Sequence, residues 1–179
     1  CQPQTAQCNW ISEQGITLAQ SQLFKADHTV CNIAPLEQGA SHNGFINSAS
    51  DEDGLFRRTP LVIAYKDRLF PSLALQTYLL AKGIHSFSVT PDELGLTLDL
   101  DGLKVPLDQA GNALLRLPNA EQSVTRISAA DIVTGKTDSA KLKNRIVLIG
   151  FSATGLHEYR PTPFSPQFLG VELHAAVID

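Results

Sequence analysis

The densest group of chemically competent side chains lies between residues 51 and 58, in the stretch DEDGLFRR. Arg57 and Arg58 carry planar guanidinium groups, which suit bidentate pairing with a carboxylate or another oxyanion. Either arginine could fix the turn by pairing with Asp53 or Glu52, or could bind an anionic ligand. We favour the structural role, because paired charges at a turn are common and two arginines alone are weak grounds for a ligand site.

A second candidate is the stretch RIVLIGFSATG, which begins at Arg145 and combines an apolar run with two glycines. The glycine spacing fits a phosphate-binding loop, but Leu156 and His157 stand where that loop needs Lys and Ser or Thr. Around Ser152, the second glycine of a nucleophile elbow is replaced by Thr154. We therefore predict a tight turn after a core strand. No paired-carboxylate or Ser/His/Asp set stands out elsewhere, so we predict no catalytic residue.

Histidines and carboxylates could in principle hold a metal ion at His157–Glu158 or at Glu172–His174. No HExxH motif is present, and residues two apart on a helix do not face the same way. His174 shares a predicted helical face with apolar residues, which favours a hydrogen-bonded core histidine. The two Asp-x-Asp-Gly clusters lack the final Glu of a calcium loop and are predicted to be turns. We predict neither a metal nor another cofactor.

The three cysteines, Cys1, Cys8 and Cys31, all lie in the first 31 residues. Because the number is odd, at most one internal pair can form. Cys8 with Cys31 is a plausible disulfide in an oxidising compartment. The alternative is two buried thiols and a terminal Cys1, and the sequence leaves both open.

Composition narrows the class of protein. The 179 residues carry a formal net charge of −4 without a basic run, which argues against a nucleic-acid partner. No apolar run approaches the roughly 18–20 residues that a membrane-spanning helix needs. The sequence has no Met, and its last ten residues, GVELHAAVID, read as a helix without a terminating Gly or Pro. We therefore expect a piece of a longer protein that continues beyond Asp179.

Apolar periodicity and turn residues predict interleaved strands and helices, hence an α/β fold with a mixed sheet, flanking helices and a hairpin-rich insert. We expect a single domain, because no repeat or low-complexity linker divides the chain. Cys1 to Gln14 is expected to be turn-like. The predicted strands are 29–36, 44–47, 61–65, 95–100, 103–107, 113–117 and, as the clearest buried strand, 145–150. The predicted helices are 18–25, one from Pro71–Ser72 to Gly83, one over 129–133 capped by Ser128, and the final one.

Three ordered blocks of sequence carry a family resemblance. The first block comprises Asn47, Asp51, Asp53, Gly54, Arg57, Arg58, Pro60 and Leu61. The second comprises residues 146–150 with Ala153 and Gly155, and the third comprises Thr162, Pro163, Gly170, Val171, Glu172, His174 and Ala175. Together they resemble the type-two CHASE domain, an extracellular sensory module of bacterial receptors. Glu158 replaces the usual Asp, and Leu169 replaces the usual Pro. The upstream Trp-Pro-Arg-like segment of the family is missing, so we expect the domain to be truncated on its N-terminal side and the resemblance to start near residue 18.

The resemblance implies an extracytoplasmic signal-input domain with no enzymatic activity of its own, cut before membrane helices that follow Asp179. It would lie at the periplasmic or outer face of the cytoplasmic membrane, within a receptor whose output is a histidine kinase, an adenylate or guanylate cyclase, or a diguanylate cyclase. We expect a homodimer, because many receptors work as symmetric pairs, and an unknown small ligand or protein as the signal. The candidate ligand-binding residues are Asn47, Asp53, Arg57, Arg58, Thr162, Glu172 and His174.

Two other functions stay open at this point. One is an extracytoplasmic protein-interaction or assembly module that binds no small ligand. The other is a soluble α/β hydrolase or nucleotide-binding enzyme, against which the missing lysine of the phosphate loop and the interrupted nucleophile elbow count.

Overall fold

The structure is a computed structural model, and it describes residues 17–40, 42–117, 124–151 and 159–179, together with the backbone of residues 7–10. Within these ranges the strands are β1 (Gln7–Trp10), β2 (Lys25–Ala26), β3 (Arg58–Pro60), β4 (Val62–Tyr65), β5 (Arg68–Pro71), β6 (Ser86–Pro91), β7 (Leu96–Leu100), β8 (Leu103–Leu107) and β9 (Asn112–Leu114). The α-helices are α1 (Ala34–Gly39), α2 (Leu73–Lys82), α3 (Ala129–Val133) and α4 (Gly170–Ile178).

The described strands form three small sheets. The four-stranded sheet has the order β1-β6-β7-β8, in which β1 runs parallel to β6 and the other neighbours are antiparallel. The three-stranded sheet has the order β2-β4-β5, with β2 parallel to β4, and β3 pairs antiparallel with β9. Mixed strand directions together with helices confirm the predicted α/β class.

The insert contains the hairpin that the sequence predicts. Asp101 and Gly102 join β7 to β8 and have φ values of 56° and 94°. Positive φ at both central residues is the requirement of the tight turn that matches the twist of paired strands, and an Asp-Gly pair meets it at low cost. The alternating burial of β7 places Leu96, Leu98 and Leu100 in the core.

Helix α2 begins and ends as predicted. The Ser72 hydroxyl accepts a hydrogen bond of 3.2 Å from the Leu75 amide, and Gly83 ends the helix with a φ of 68°. Leu75 and Leu79 are buried in one apolar core with the strands of the two larger sheets. Helix α4 packs against α2, and its Val177 reaches the same core. The core therefore positions α4.

The N-terminal predictions are partly wrong. The segment 7–10 is a strand and not a turn, because it pairs in parallel with β6. Only Leu18–Gln20 of the helix predicted over 18–25 is helical, as one 3-10 turn. The strand predicted over 29–36 is absent, and α1 begins there instead, with Pro35 in its first turn. Proline is favoured in the first turn of a helix, because the backbone N–H that it lacks has no partner within the helix there.

The strand predicted over Arg145–Gly150 is wrong. The segment has neither helix nor strand structure, and its side chains are mostly exposed, with Ile149 92% exposed. Its apolar composition satisfies the local requirement for a strand, but a strand also needs a neighbour that pairs with it. None of the described strands pairs with residues 145–150. The segment does contact α4, since a Cβ placed on Gly150 would lie 2.7 Å from the Cβ of Val171.

Candidate functional site

The turn at residues 51–54 is held by a charged network. The Gly54 amide donates to the Asp51 carbonyl at 2.9 Å, and the Leu55 amide donates to the Asp53 carboxylate at 3.1 Å. Arg57 donates two hydrogen bonds to Asp53, of 2.9 and 2.7 Å. The bidentate pairing that the sequence predicts between an arginine and Asp53 is thus present, and it braces the turn that contains it.

The same network reaches β9 through two further carboxylates. Arg57 also contacts Asp51 at 3.0 Å, and Arg58 contacts Asp51 at 3.2 Å and Asp108 at 3.3 Å. Asp108 in turn accepts hydrogen bonds from the backbone and side chain of Asn112. The arginines therefore join the turn at 51–54 to the turn before β9. Each of them directs hydrogen-bond donors to carboxylates of the protein itself.

These contacts shift the ionisation of the network. The hydrogen bonds from Arg57 and from the Leu55 amide lower the pKa of Asp53 to about 2. Bonds to Asp53 and then Asp51 raise the pKa of Arg57 above its ordinary value. Burial alone would raise the pKa of Asp108, but hydrogen bonds from Asn112 and Arg58 outweigh it and lower that pKa. All these groups are charged near neutral pH.

The loop around Thr162 lies against this network. The Phe56 amide donates to the Pro161 carbonyl at 2.7 Å, and the Arg160 guanidinium lies 5.6 Å from the Phe56 ring centre. Thr162 is buried, and its hydroxyl accepts from the Ser165 amide at 3.1 Å and donates to the Ser165 carbonyl at 3.2 Å. Thr162 therefore stabilises its own turn, and the first and third sequence blocks meet at Phe56.

Glu172 forms a second, separate site at the first turn of α4. One carboxylate oxygen accepts from the Leu169 amide at 3.1 Å, which satisfies a free donor of the helix terminus. The other accepts from Arg126 Nε at 2.8 Å and from Arg126 Nη2 at 2.5 Å. The side chain of Glu172 is 7% exposed, whereas that of Arg126 is 65% exposed. A buried carboxylate is thus neutralised by an arginine that stands 46 residues earlier in the chain.

The remaining candidates make fewer contacts. His174 is half-buried on α4, and burial lowers its pKa. The hydrogen bond predicted for it is not found with any residue within the described ranges. Asn47 is exposed. A cavity of about 370 Å³ lies at the turn between β6 and β7, lined by residues 92–96, 106 and 107. None of the seven candidate ligand residues lines it.

The cysteine prediction is partly answered. Cys31 is exposed and disulfide-bonded, so the alternative of a buried free thiol is wrong for this residue. The side chains of Cys1 and Cys8 lie outside the described residues, as do residues 152–158 with the turn predicted around Ser152 and His157. The Cys8–Cys31 pairing therefore stays a proposal.

No group of three or more His, Cys, Asp or Glu that could hold a metal ion occurs among the described residues. Searched over the same ranges, the structure contains no helix long and apolar enough to cross a membrane.

The three blocks and their order can be compared with known families. The family model of the CHASE2 domain matches residues 9–179. The chain belongs to the CHASE2 domain family. This is a family of extracellular sensory domains. The match begins upstream of residue 18, so the expectation that the resemblance starts there was too restrictive. No curated protein and no solved structure matches the chain.

Six of the seven candidate residues of this CHASE2 domain fall into two places. Asp53, Arg57 and Arg58 lie in the charged network, and Thr162 lies in the loop against it. Glu172 and His174 lie on α4, and no described contact joins them to the network. Sequence reasoning missed Asp108 and Arg126 as partners, because neither has a local signal that points to a residue about fifty positions away.

The charged network predicts a specific acid response of the CHASE2 domain. The pKa of Asp53 is about 2 in the folded chain, against an ordinary value of 3.8. The native state therefore gains stability above pH 3.8 and loses it as the pH falls towards 2. We expect Asp53→Asn to unfold at a lower temperature than the parent at neutral pH, by the small margin typical of exposed ion pairs. The difference should shrink steadily below pH 3.8 and be largely lost at pH 2.

Thermal unfolding between pH 2 and 7 measures this response. Asp67→Asn is the matched control, because Asp67 is exposed in the turn between β4 and β5 and forms no ion pair with a described residue. High salt should shrink the Asp53 effect. A constant difference between Asp53→Asn and the parent over the whole range would contradict the argument.

Proposed function

We propose that this domain is the signal-input module of a bacterial transmembrane receptor and that α4 carries the signal to the output. Membership of an extracellular sensory family supports the input role. The observation that carries the proposal is the way α4 is held: it packs against α2, and its first turn is fixed by Arg126 from a distant segment. A helix held at two places can be shifted by an event at either of them.

The signal is a two-state equilibrium of α4. A small ligand or a partner protein that binds one arrangement better than the other shifts the population, by no more than its difference in affinity. The output is a cytoplasmic histidine kinase, adenylate or guanylate cyclase, or diguanylate cyclase, and the receptor acts as a homodimer. The domain lies at the periplasmic or outer face of the cytoplasmic membrane, and the disulfide at Cys31 supports an oxidising compartment.

The proposal is tested on the full-length receptor in membranes, with the rate of its own output reaction as the readout. We expect Arg126→Ala to change the basal rate at least about threefold, because an α4 population shift of that size needs less than 1 kcal/mol. Arg116→Ala is the matched control, since Arg116 is exposed and forms no ion pair with a described residue. Equal rates for both variants and the parent, at equal protein levels, would refute the role of α4.

A second experiment identifies the class of signal. Sodium phosphate, sodium citrate, calcium chloride and magnesium chloride are added separately to the purified domain while its unfolding temperature is followed. A compound that binds the folded state raises the midpoint by mass action. The same compound must change the output rate of the receptor from outside the membrane.

An assembly module without a small ligand is the second candidate, and the exposed apolar segment after Arg145 favours it. It predicts no midpoint shift with any small compound and a response to a protein partner alone.

A further inference from the structure

The segment Arg145–Phe151 is a largely exposed apolar stretch that belongs to none of the described strands. Ile149 and Phe151 are 92% and 69% exposed, and Ile146 and Val147 are about half exposed. No backbone amide or carbonyl of residues 146–151 bonds to another described residue. A sequence with strand-forming residues whose apolar side chains are exposed and whose backbone groups have no described partner pairs readily with a strand of another chain.

We propose that residues 145–151 pair antiparallel with the same segment of a second copy of this chain. The charge pattern favours this occupant and this direction. Antiparallel pairing centred on Leu148 places Arg145 opposite Phe151 and Val147 opposite Ile149. The guanidinium then faces an aromatic ring at each end of the interface, an attractive arrangement.

Parallel pairing in register is disfavoured by the same residues. It would place Arg145 opposite Arg145 and Lys143 opposite Lys143, and like charges directly opposite destabilise paired strands. The antiparallel arrangement is two-fold symmetric and closes after two copies, so it does not propagate into a fibre. Because Lys143 and Arg145 lie at the same end of the segment, they favour the antiparallel dimer over parallel pairing in register.

The position of the segment connects the interface to α4. A Cβ on Gly150 would lie 2.7 Å from the Cβ of Val171, so Gly150 sits against the first turn of that helix. Two paired segments bring the first turns of two α4 helices to one interface. This interface rests on the proposed function in one respect, the receptor homodimer, whereas sedimentation and disulfide trapping measure association alone.

The first test is sedimentation of the purified chain from low micromolar to near-millimolar concentration. We expect a monomer–dimer equilibrium, which Ile149→Lys weakens at least about tenfold through the buried charge. Leu94→Lys is the matched control: Leu94 is 94% exposed, at the turn between β6 and β7, and its replacement should leave dimerisation unchanged. A monomer throughout, or equal weakening by both variants, overturns the interface. A monomer whose receptor still responds to Arg126→Ala would leave the sensor proposal intact.

The second test addresses direction and register. In an antiparallel pair centred on Leu148, Leu148→Cys faces itself at a Cα separation of about 4.5–5.5 Å, within disulfide range. Val147→Cys faces Ile149 and lies farther from its own copy. After subtraction of the dimer that the parent cysteines form, we expect at least about fivefold more oxidised dimer from Leu148→Cys than from Val147→Cys. The reason is that the two copies of position 148 alone lie at the separation that a disulfide needs. Equal yields would contradict the pairing.

Discussion

Leu79→Ala is expected to lower the free energy of unfolding by about 3 kcal/mol, from the lost burial and the cavity that remains. Leu79 is fully buried on α2, in the core that also includes residues of β4 and β7. Strands of two sheets pack in the same core as the helix, so we expect the site to collapse only in part. In a chain of this size such a loss corresponds to a fall of roughly 6–12 °C in the unfolding temperature.

Leu80→Ala is the control for this prediction. Leu80 is the next residue of the same helix and is 47% exposed, so its truncation removes the same atoms without leaving a closed cavity. Urea unfolding of both variants measures the difference directly, and the slope with denaturant should stay unchanged if only native packing is lost. Equal losses for Leu79 and Leu80 would show that the core is not formed as described.

Sequence reasoning succeeds where the structure depends on neighbouring residues. Ser72 and Gly83 bound α2 because capping and left-handed termination are decided within a few positions. Asp101–Gly102 fixes the β7–β8 hairpin in the same way. The pairing between Arg57 and Asp53 is also local, four residues apart, and the prediction of a braced turn needed no knowledge of the rest of the fold.

Prediction from the sequence fails where a residue or strand distant in the chain decides the local structure. The stretch RIVLIG has the composition of a buried strand, but composition does not supply the strand that must pair with it, and Ile149 is exposed. Likewise, β1 has few apolar residues and becomes a strand through its parallel partner β6. Arg126 and Glu172 are 46 positions apart, so no local pattern in the sequence indicates their ion pair. The candidate site was thus predictable at Asp53, Arg57 and Arg58 and incomplete at Glu172.

Arg126→Ala is expected to cost about 2 kcal/mol of stability, less than a fully buried pair because the arginine is largely exposed. Its removal leaves the buried Glu172 carboxylate with the Leu169 amide as its one hydrogen-bond partner among the described residues, and one neutral hydrogen bond does not offset the desolvation of a charge. In this chain the loss corresponds to a fall of roughly 4–8 °C in the unfolding temperature. Arg116→Ala, at an exposed position outside any described ion pair, should be close to neutral.

Glu172→Gln separates the charge from the helix cap. The amide oxygen of Gln still accepts from the Leu169 amide, so the first turn of α4 keeps its cap while the carboxylate is gone. Adding Arg126→Ala to Glu172→Gln should therefore cost much less than Arg126→Ala alone, which a double-mutant cycle measures as coupling. Hydrogen exchange adds a local readout: Arg126→Ala should speed exchange in α4 and leave β7 unaffected. If the two substitutions lower the free energy of unfolding additively, Arg126 stabilises the fold without acting through Glu172. The Arg126–Glu172 ion pair would then not hold the first turn of α4.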